Sequence, residues 1–153
     1  MREPMIRLSR MADYGVVVMT FMAHRRNQTL SAHQVAEGTG LPEAAVGKLM
    51  KVLNRDGLLE SHRGAHGGYG LTRRPEEISV ADIVAAVEGP IAVTQCVDEH
   101  PGSCDVESLC PMRGGWNQIN TALHDALAGV SLAAMAFAVP PLLADGASRP
   151  GAV

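Results

Sequence analysis

The spacing of apolar residues predicts helices separated by short polar breaks in the first third of the chain. Ser9 is suited to cap a helix that runs to about His24, because apolar residues recur there every three or four positions. A second helix is predicted to begin at Ser31, with Gln34 three residues further on, as in a capping box. It ends at the glycine-containing turn 38–40, where the chain changes direction.

A third helix is predicted from Pro42 to about Arg55, with Gly57 ending the apolar pattern. Two short helices joined by a glycine-containing turn are typical of a helix-turn-helix. The segments 58–61 and 69–72 have strand character and flank a glycine-rich tip, which predicts a hairpin. A hairpin directly after the third helix is the wing of a winged-helix domain, and an ordinary glycine-rich hairpin is the alternative.

Two more helices are predicted in the second half of the chain. Ser79 caps the first of them, and Gly89 with Pro90 ends it. Further on, apolar residues repeat with the 3-4 spacing of a coiled-coil seam. A second copy of the chain is the simplest partner for such a seam, so the sequence predicts a homodimer, with packing onto its own domain as the alternative. The seam residues are Trp116, Ile119, Leu123, Ala126 and Val130.

The predicted fold class is mainly α with a small β-wing, as a winged helix-turn-helix domain followed by a long C-terminal dimerisation helix. We predict a DNA-binding domain over residues 6–92, a cysteine-rich cluster-binding loop over 93–114 and the dimerisation helix over 115–137. Residues 138–153 have the Ala/Pro/Gly-rich composition of a disordered tail. No apolar run reaches the length of a membrane span and the N-terminus does not resemble a secretory signal, so we expect a cytoplasmic protein without a membrane partner.

Charge is divided unevenly along the chain. Residues 1–75 contain 11 Lys and Arg against 6 Asp and Glu, a net charge of +5, whereas residues 76–153 contain 2 against 10, a net charge of −8. This division favours nucleic-acid binding by the first half, although a solvated basic face would give the same counts. No nucleophile–base pair or phosphate-binding loop is recognisable, so we expect neither enzymatic activity nor a small-molecule substrate.

The third helix and the wing carry the residues that we expect to contact DNA. A helix in the major groove reads bases chiefly through its N-terminal residues, so Lys51 and Arg55 further along are expected to touch phosphate or to remain solvated. For Glu43, stabilisation of the helix N-terminus is an equal alternative. The wing tip offers cations and backbone N–H groups to phosphates. The predicted DNA-binding residues are Glu43, Ala44, Gly47, Lys48, Lys51 and Arg55 on the helix, and Arg63, His66 and Tyr69 on the wing.

Three cysteines, Cys96, Cys104 and Cys110, lie in a short Gly/Pro/Asp-rich segment. Their clustering favours ligation over a disulfide framework. The C-x7-C-x5-C spacing lacks the C-x2-C pairs common in zinc sites, and thiolates suit iron–sulfur clusters. A zinc site and unligated thiols are the alternatives. The candidates for a fourth ligand are His100, the loop carboxylates Asp98, Glu99, Asp105 and Glu107, and Asp13 on the first helix of the same or the other subunit.

Together these residues resemble the IscR-like family of winged-helix regulators, which includes NsrR and the regulators of SUF-type iron–sulfur assembly. The resemblance covers about residues 6–135, and the run from Cys96 to Trp116 is most similar to the SUF assembly regulators. Its most specific parts are Arg7–Ser9, the wing residues Arg63–Tyr69 and the three-cysteine loop, and Ile78–Ile83 and Glu88–Pro90 are also similar.

The resemblance implies a homodimer that binds palindromic operators in double-stranded DNA and holds an iron–sulfur cluster, [2Fe-2S] or [4Fe-4S], whose state sets DNA affinity. The chain departs from the IscR type in two places. Arg113 stands where that type has a His, three residues after the last cysteine, and the first cysteine gap is seven residues rather than five. NsrR-type members use an Asp at the position that matches Asp13, so Asp13 ranks above His100 as the fourth ligand.

The resulting hypothesis is a DNA-binding transcription regulator, a repressor or activator, whose iron–sulfur cluster senses iron–sulfur, redox or nitric-oxide status. Its expected targets are iron–sulfur assembly genes. One alternative is a DNA-binding thiol redox sensor without a cluster. Another, of a different class, is a small iron–sulfur electron-transfer protein, which would need neither a helix-turn-helix nor a basic wing.

Overall fold

A computed structural model of one chain describes Arg2, residues 4–94, Val97 and residues 111–138. Within these residues the fold is mainly helical with one small antiparallel sheet, which confirms the predicted mainly α class with a small β-wing. None of the described helices has both the length and the apolar character needed to cross a membrane. The elements in chain order are α1 (Arg10–Ala23), α2 (Ala32–Thr39), α3 (Glu43–Arg55), β1 (Leu59–His62), β2 (Gly68–Leu71), a 3-10 turn (Pro75–Glu77), α4 (Val80–Glu88), α5 (Arg113–Ala128) and α6 (Leu132–Ala138).

Serine residues form the N-caps of three helices at the predicted positions. The Ser31 hydroxyl accepts a hydrogen bond from the backbone N–H of Gln34, and the Gln34 side chain accepts one from the Ser31 N–H, so the predicted capping box is present. Ser9 caps α1 through the N–H of Ala12, and Ser79 caps α4. Each cap satisfies a backbone N–H that would otherwise have no partner within its helix.

One core joins the helix-turn-helix, the hairpin and α4. Because the chain is poor in aromatic residues, aliphatic side chains and methionines fill this core. Helix α1 packs against α2, α3, α4 and α6, so it lies at the centre of the domain. The largest fully buried side chains include Met19, Met22, Leu49, Met50, Leu53, Leu59, Ile78, Ile83 and Leu132.

The turn between α2 and α3 depends on Gly40. Its φ of +74° lies in the left-handed region, and its N–H donates a 2.8 Å hydrogen bond to the carbonyl of Ala36. Glycine adopts this conformation without the steric cost that a Cβ brings. Helix α3 then begins at Glu43. Pro42, the predicted first residue of this helix, is instead its N-cap.

The wing is tied to the residue that precedes the α2 cap. Strands β1 and β2 pair in antiparallel register and lie one residue away from the predicted segments 58–61 and 69–72. On the other side of β2, Leu30 and Tyr69 exchange two backbone hydrogen bonds of 2.9 and 2.8 Å. A Cβ at Gly68 would lie 2.4 Å from the Leu30 carbonyl oxygen, so this close approach requires glycine. The hairpin is therefore held firmly beside the helix-turn-helix.

The predicted continuous helix over 115–137 is wrong, since the structure divides it into α5 and α6. The break follows Gly129, the C-cap of α5. There the Val80 N–H donates to the Val130 carbonyl at 2.9 Å, and the Leu132 N–H donates to the Ile78 carbonyl at 2.7 Å. These bonds replace helical ones, and they pair the chain with the segment that leads into α4.

Helix α6 consequently belongs to the core of the DNA-binding domain. It packs against α1, and Leu132 is fully buried while Ala136 is nearly so. The predicted domain of residues 6–92 therefore lacks an element that completes its core. The predicted tail lies, apart from Ala138, outside the described residues, as does most of the predicted cysteine loop.

Candidate nucleic-acid interface and cysteine segment

Helix α3 presents two contrasting faces, because its apolar residues recur every three or four positions. The buried face packs into the core and carries Val46, Leu49, Met50 and Leu53. The opposite face holds all six predicted DNA-contacting residues of this helix. Five are exposed and Gly47 is partly buried. These six residues are Glu43, Ala44, Gly47, Lys48, Lys51 and Arg55.

The cations on this outer face differ in their availability. Among the residues that the structure describes, no carboxylate lies within ion-pair distance of Lys48 or Lys51. The Arg55 Nε instead donates a 3.0 Å hydrogen bond to the Asp56 carboxylate. The two lysines are therefore better placed than Arg55 to neutralise a phosphate or to reach a base edge.

Glu43, at the head of α3, pairs with His33 of α2. The His33 Nδ1 lies 3.1 Å from the Glu43 Oε2, and both side chains are exposed. This hydrogen bond, with the charges of Glu43 and Glu37, raises the pKa of His33. His33 is not among the predicted residues, because its contact with Glu43 crosses a turn whose geometry the local sequence pattern does not give. The pair joins the first turns of both helices of the helix-turn-helix.

The wing tip exposes the side chains of Arg63 and His66, as predicted. A hydrogen bond of 2.9 Å from the Gly67 N–H to the Gly64 carbonyl shapes the tip. No described carboxylate pairs with Arg63. Tyr69 is partly buried and packs against the core, so its predicted DNA contact remains a prediction beside a clear packing role.

Two arginines of the basic half, Arg73 and Arg74, form contacts within the domain and do not contribute to an exposed basic patch. The Arg74 Nη2 donates to the Glu77 Oε1 at 3.0 Å, and this contact raises the pKa of Arg74 and lowers that of Glu77. The Arg73 Nη1 donates to the Glu77 carbonyl at 3.1 Å, and its Nη2 lies 3.9 Å from the Asp82 carboxylate. Both arginines thus hold the base of the wing to the 3-10 turn, and Arg73 also reaches the start of α4.

The chain that leads toward the first cysteine is anchored to α5. The Asn120 side chain accepts a 3.0 Å hydrogen bond from the Val93 N–H and donates one of 2.8 Å to the Ile91 carbonyl. After the cysteine segment, the chain returns at Arg113, the first residue of the same helix. The predicted ligands Cys96, Cys104, Cys110 and His100 themselves lie outside the described residues.

Asp13, the other predicted ligand, lies exposed in the first turn of α1. The Ser9 hydroxyl contacts the Glu88 carboxylate, so the start of α1 lies beside the end of α4. From there the chain continues toward Cys96, which is eight residues further on. The described part of the chain contains no group of three His, Cys, Asp or Glu side chains that could hold a metal ion.

The predicted dimerisation seam lies along a largely uncovered face of α5 and the break that follows it. Trp116 is 37% exposed and Ile119 is 51% exposed, although both are large and apolar. Val130 and Ala126 are also exposed, and Leu123 is partly buried within its own subunit. An exposed apolar row of this kind marks an interaction surface, and its covering by a second copy stays a prediction.

Comparisons with known proteins agree with this architecture. Residues 8–138 match the Rrf2 family, described as an iron-dependent transcriptional regulator. The chain is 32% identical over 129 residues to protein rrf2 of Nitratidesulfovibrio vulgaris. The matched region covers 84% of this chain and 85% of that protein.

Two solved structures resemble the fold over most of its length. The structure of CymR, the global cysteine regulator of B. subtilis, has a TM-score of 0.70 and 27% identity, covering 89% of this chain and all of that one. The structure of T. potens IscR has a TM-score of 0.65 and 29% identity, covering 86% of each chain. Several of the relatives are named as HTH-type transcriptional regulators. The chain therefore belongs to the Rrf2 family of DNA-binding transcriptional regulators.

Proposed function

We propose that this regulator acts as a homodimer on a palindromic operator and senses its signal through an iron–sulfur cluster held by Cys96, Cys104 and Cys110. Asp13 is the preferred fourth ligand, ahead of His100. The observation that carries the proposal is that both ends of the cysteine segment are attached to α5. Before the segment, the Val93 N–H is hydrogen-bonded to Asn120 of α5, and after it the chain enters α5 at Arg113. Seven residues of helix span only about 10 Å, so the two described ends of the segment lie close together along α5.

The donor set fits a cluster. Thiolates are soft ligands that favour iron–sulfur clusters, and a carboxylate from α1 would complete four ligands. The contact between Ser9 and Glu88 supports Asp13, because it holds the first turn of α1 beside the chain that leads to Cys96. When bound, the cluster supplies a group whose oxidation, loss or reaction with nitric oxide changes the charge and the ligands of the loop.

A packed route leads from the loop to the DNA-binding surface. Helix α5 contacts α4, and α4 contacts both α1 and α3. A change in the loop that moves α5 therefore acts on α4 and, through it, on the position of α3. On α3, Lys48 is the cation that we expect to reach a base edge, while Arg63 and His66 on the wing contact phosphate or the minor groove.

The proposed targets are genes of iron–sulfur assembly. The similarity to IscR supports this choice, together with the likeness of the cysteine segment to the SUF assembly regulators. The second candidate is a thiol redox sensor without a cluster, which the similarity to the cysteine regulator CymR favours. Both candidates use the same DNA-binding domain and differ in what the three cysteines hold.

Anaerobic purification with iron and sulfide quantified per chain tests the proposal. The wild-type protein should show visible absorption and contain both elements, and replacing any one cysteine by Ala should remove most of each. Asp13→Ala should make the cluster labile, whereas His100→Ala should leave it intact. A protein without iron whose DNA affinity still responds to an oxidant would identify the thiol sensor instead.

A further inference from the structure

We propose that Glu43, held in place by His33, reads the exocyclic amino group of a cytosine in the major groove and thereby sets one base pair of each half-site. The inference rests on the proposed role of α3 as the helix that enters the groove. It adds a positioning residue, His33, that lies outside α3, and it names the base that the head of the helix selects.

The geometry leaves one carboxylate oxygen available at the head of α3. The His33 Nδ1 contacts Oε2 of Glu43 at 3.1 Å. No residue that the structure describes donates a hydrogen bond to Oε1 of the same group. Glu43 is the first residue of α3, and the first residues of a recognition helix are those that approach base edges. A free acceptor therefore lies where base reading is expected.

His33 restricts a side chain that would otherwise be mobile. A glutamate in solvent loses rotamer freedom when it binds, and a second contact made before binding reduces that loss. His33 lies in the first turn of α2, whose start is fixed by the Ser31 capping box. The charged groups that act on the His33 ring are Glu43 across the turn and Glu37 on its own helix. When protonated, His33 also offsets the negative charge that Glu43 brings toward the phosphates.

The carboxylate limits which base it accepts. An ionised carboxylate only accepts hydrogen bonds, so the acceptor groups of guanine and thymine repel it. Donors in the major groove are the amino groups of cytosine and adenine. Adenine carries the acceptor N7 beside its amino group, whereas cytosine does not, so cytosine fits the single free Oε1 best. Ala44 is small and exposed, and a Cβ at Gly47 would meet nothing within 4 Å, so neither residue blocks this approach.

Selection of duplexes from a random library tests the role of Glu43. The wild-type protein should enrich palindromic sites with one conserved cytosine in each half-site. Glu43→Gln should move the preference at that position toward adenine, because an amide both donates and accepts, and Glu43→Ala should remove about tenfold discrimination there. The matched control is Glu60→Gln on the wing, which alters a similarly exposed pair with His62 and should select the wild-type site.

Fluorescence anisotropy on the selected site and its cytosine variant tests His33. His33→Ala should weaken discrimination at that position, and His33→Gln, whose amide can donate to Glu43, should restore it. Thermal unfolding should be unchanged in both. If the Glu43 variants select the wild-type site, or if His33→Ala keeps full discrimination, the inference is wrong. If the wild-type protein enriches no site at all, sequence-specific binding fails first, and the proposed function with it.

Discussion

The side chain of Asn120 satisfies one donor and one acceptor of the backbone that leads into the cysteine segment. Its Oδ1 lies 3.0 Å from the Val93 nitrogen and its Nδ2 lies 2.8 Å from the Ile91 oxygen. Residues 91–93 belong to no helix or strand, so these bonds replace the support that regular structure would give. Asn120 thus connects the proposed cluster loop to the helix that carries the predicted dimerisation seam.

Replacing Asn120 by Leu should destabilise the cluster loop more than the rest of the fold. Leucine keeps the branched shape but removes both hydrogen bonds, at a cost of about 1–3 kcal/mol in the free energy of unfolding. We expect iron and sulfide to be lost several times faster in air, as followed by visible absorption. Asn117→Leu, at an exposed position of the same helix, is the control. Equal cluster lifetimes in the two variants would show that the Asn120 hydrogen bonds do not stabilise the cluster loop.

A charge on the α5 seam should separate the subunits. Ile119→Asp places a carboxylate where we expect an apolar dimer interface, and an unpaired charge is costly to bury. Because Ile119 is 51% exposed in the single chain, its own subunit should remain folded. Light scattering should therefore report a monomer with native helix content. Gln118→Asp, adjacent on the helix but off the seam, should stay dimeric, and a dimeric Ile119→Asp protein would exclude this face as the interface.

The wing should contribute salt-dependent affinity without sequence preference. Arg63→Ala should weaken binding to operator and scrambled duplexes alike, and should reduce the salt slope by roughly 0.9 per subunit. Arg74→Ala is the control. Because the Arg74 guanidinium is already paired with Glu77 at 3.0 Å, its removal should leave the salt slope unchanged. An Arg63 variant with the wild-type slope in an anisotropy titration would show that the hairpin does not reach DNA.

Gly47 should lower the stability of α3 but allow the helix to approach the DNA major groove closely. A Cβ at this position would meet nothing within 4 Å, so packing does not explain a glycine in the middle of α3. Gly47→Ala should therefore raise the free energy of unfolding by about 0.5–1 kcal/mol, yet weaken operator binding. Gly114→Ala, also in a helix and open to solvent, is the control and should leave affinity unchanged. Tighter operator binding by the Gly47 variant would contradict this assignment.

Base discrimination by Glu43 should depend on pH. The hydrogen bond to Glu43 raises the pKa of His33 above its unfolded-state value of about 6.5. The contribution of the pair is therefore complete below that value and is lost as pH rises through the raised folded-state pKa. Discrimination for cytosine, measured by anisotropy across this range, should fall with rising pH in the wild type. It should be flat in His33→Ala, and a parallel decline in that variant would assign the titration to another group.

Helix starts and the wing could be predicted because their determinants are local. A serine with a partner three residues on fixes each cap, as at Ser31 and Ser79, whatever the rest of the chain does. The outward face of α3 followed equally from helical periodicity, since Val46, Leu49 and Leu53 had to face inward. These features depend on contacts within a few residues.

The features that sequence analysis missed depend on distant contacts. The 3-4 apolar spacing continues through Gly129, so it gave no sign that Val130 and Leu132 bond to Val80 and Ile78. The pairing of His33 with Glu43 likewise requires the angle between two helices. Periodicity records which residues face inward along one helix, but it does not record where that helix ends against another segment.

The position of α6 also determines when the protein can fold during synthesis. Leu132 is fully buried against helices made much earlier, and Ala136 is nearly so. Contacts this far apart in sequence form late and slow folding. On the ribosome, the recognition helix and wing emerge long before the segment that closes their core, so the nascent chain acquires a complete DNA-binding domain only after its cysteine segment has been translated. A regulator made in this order has its proposed cluster ligands translated before its DNA-binding domain is fully folded.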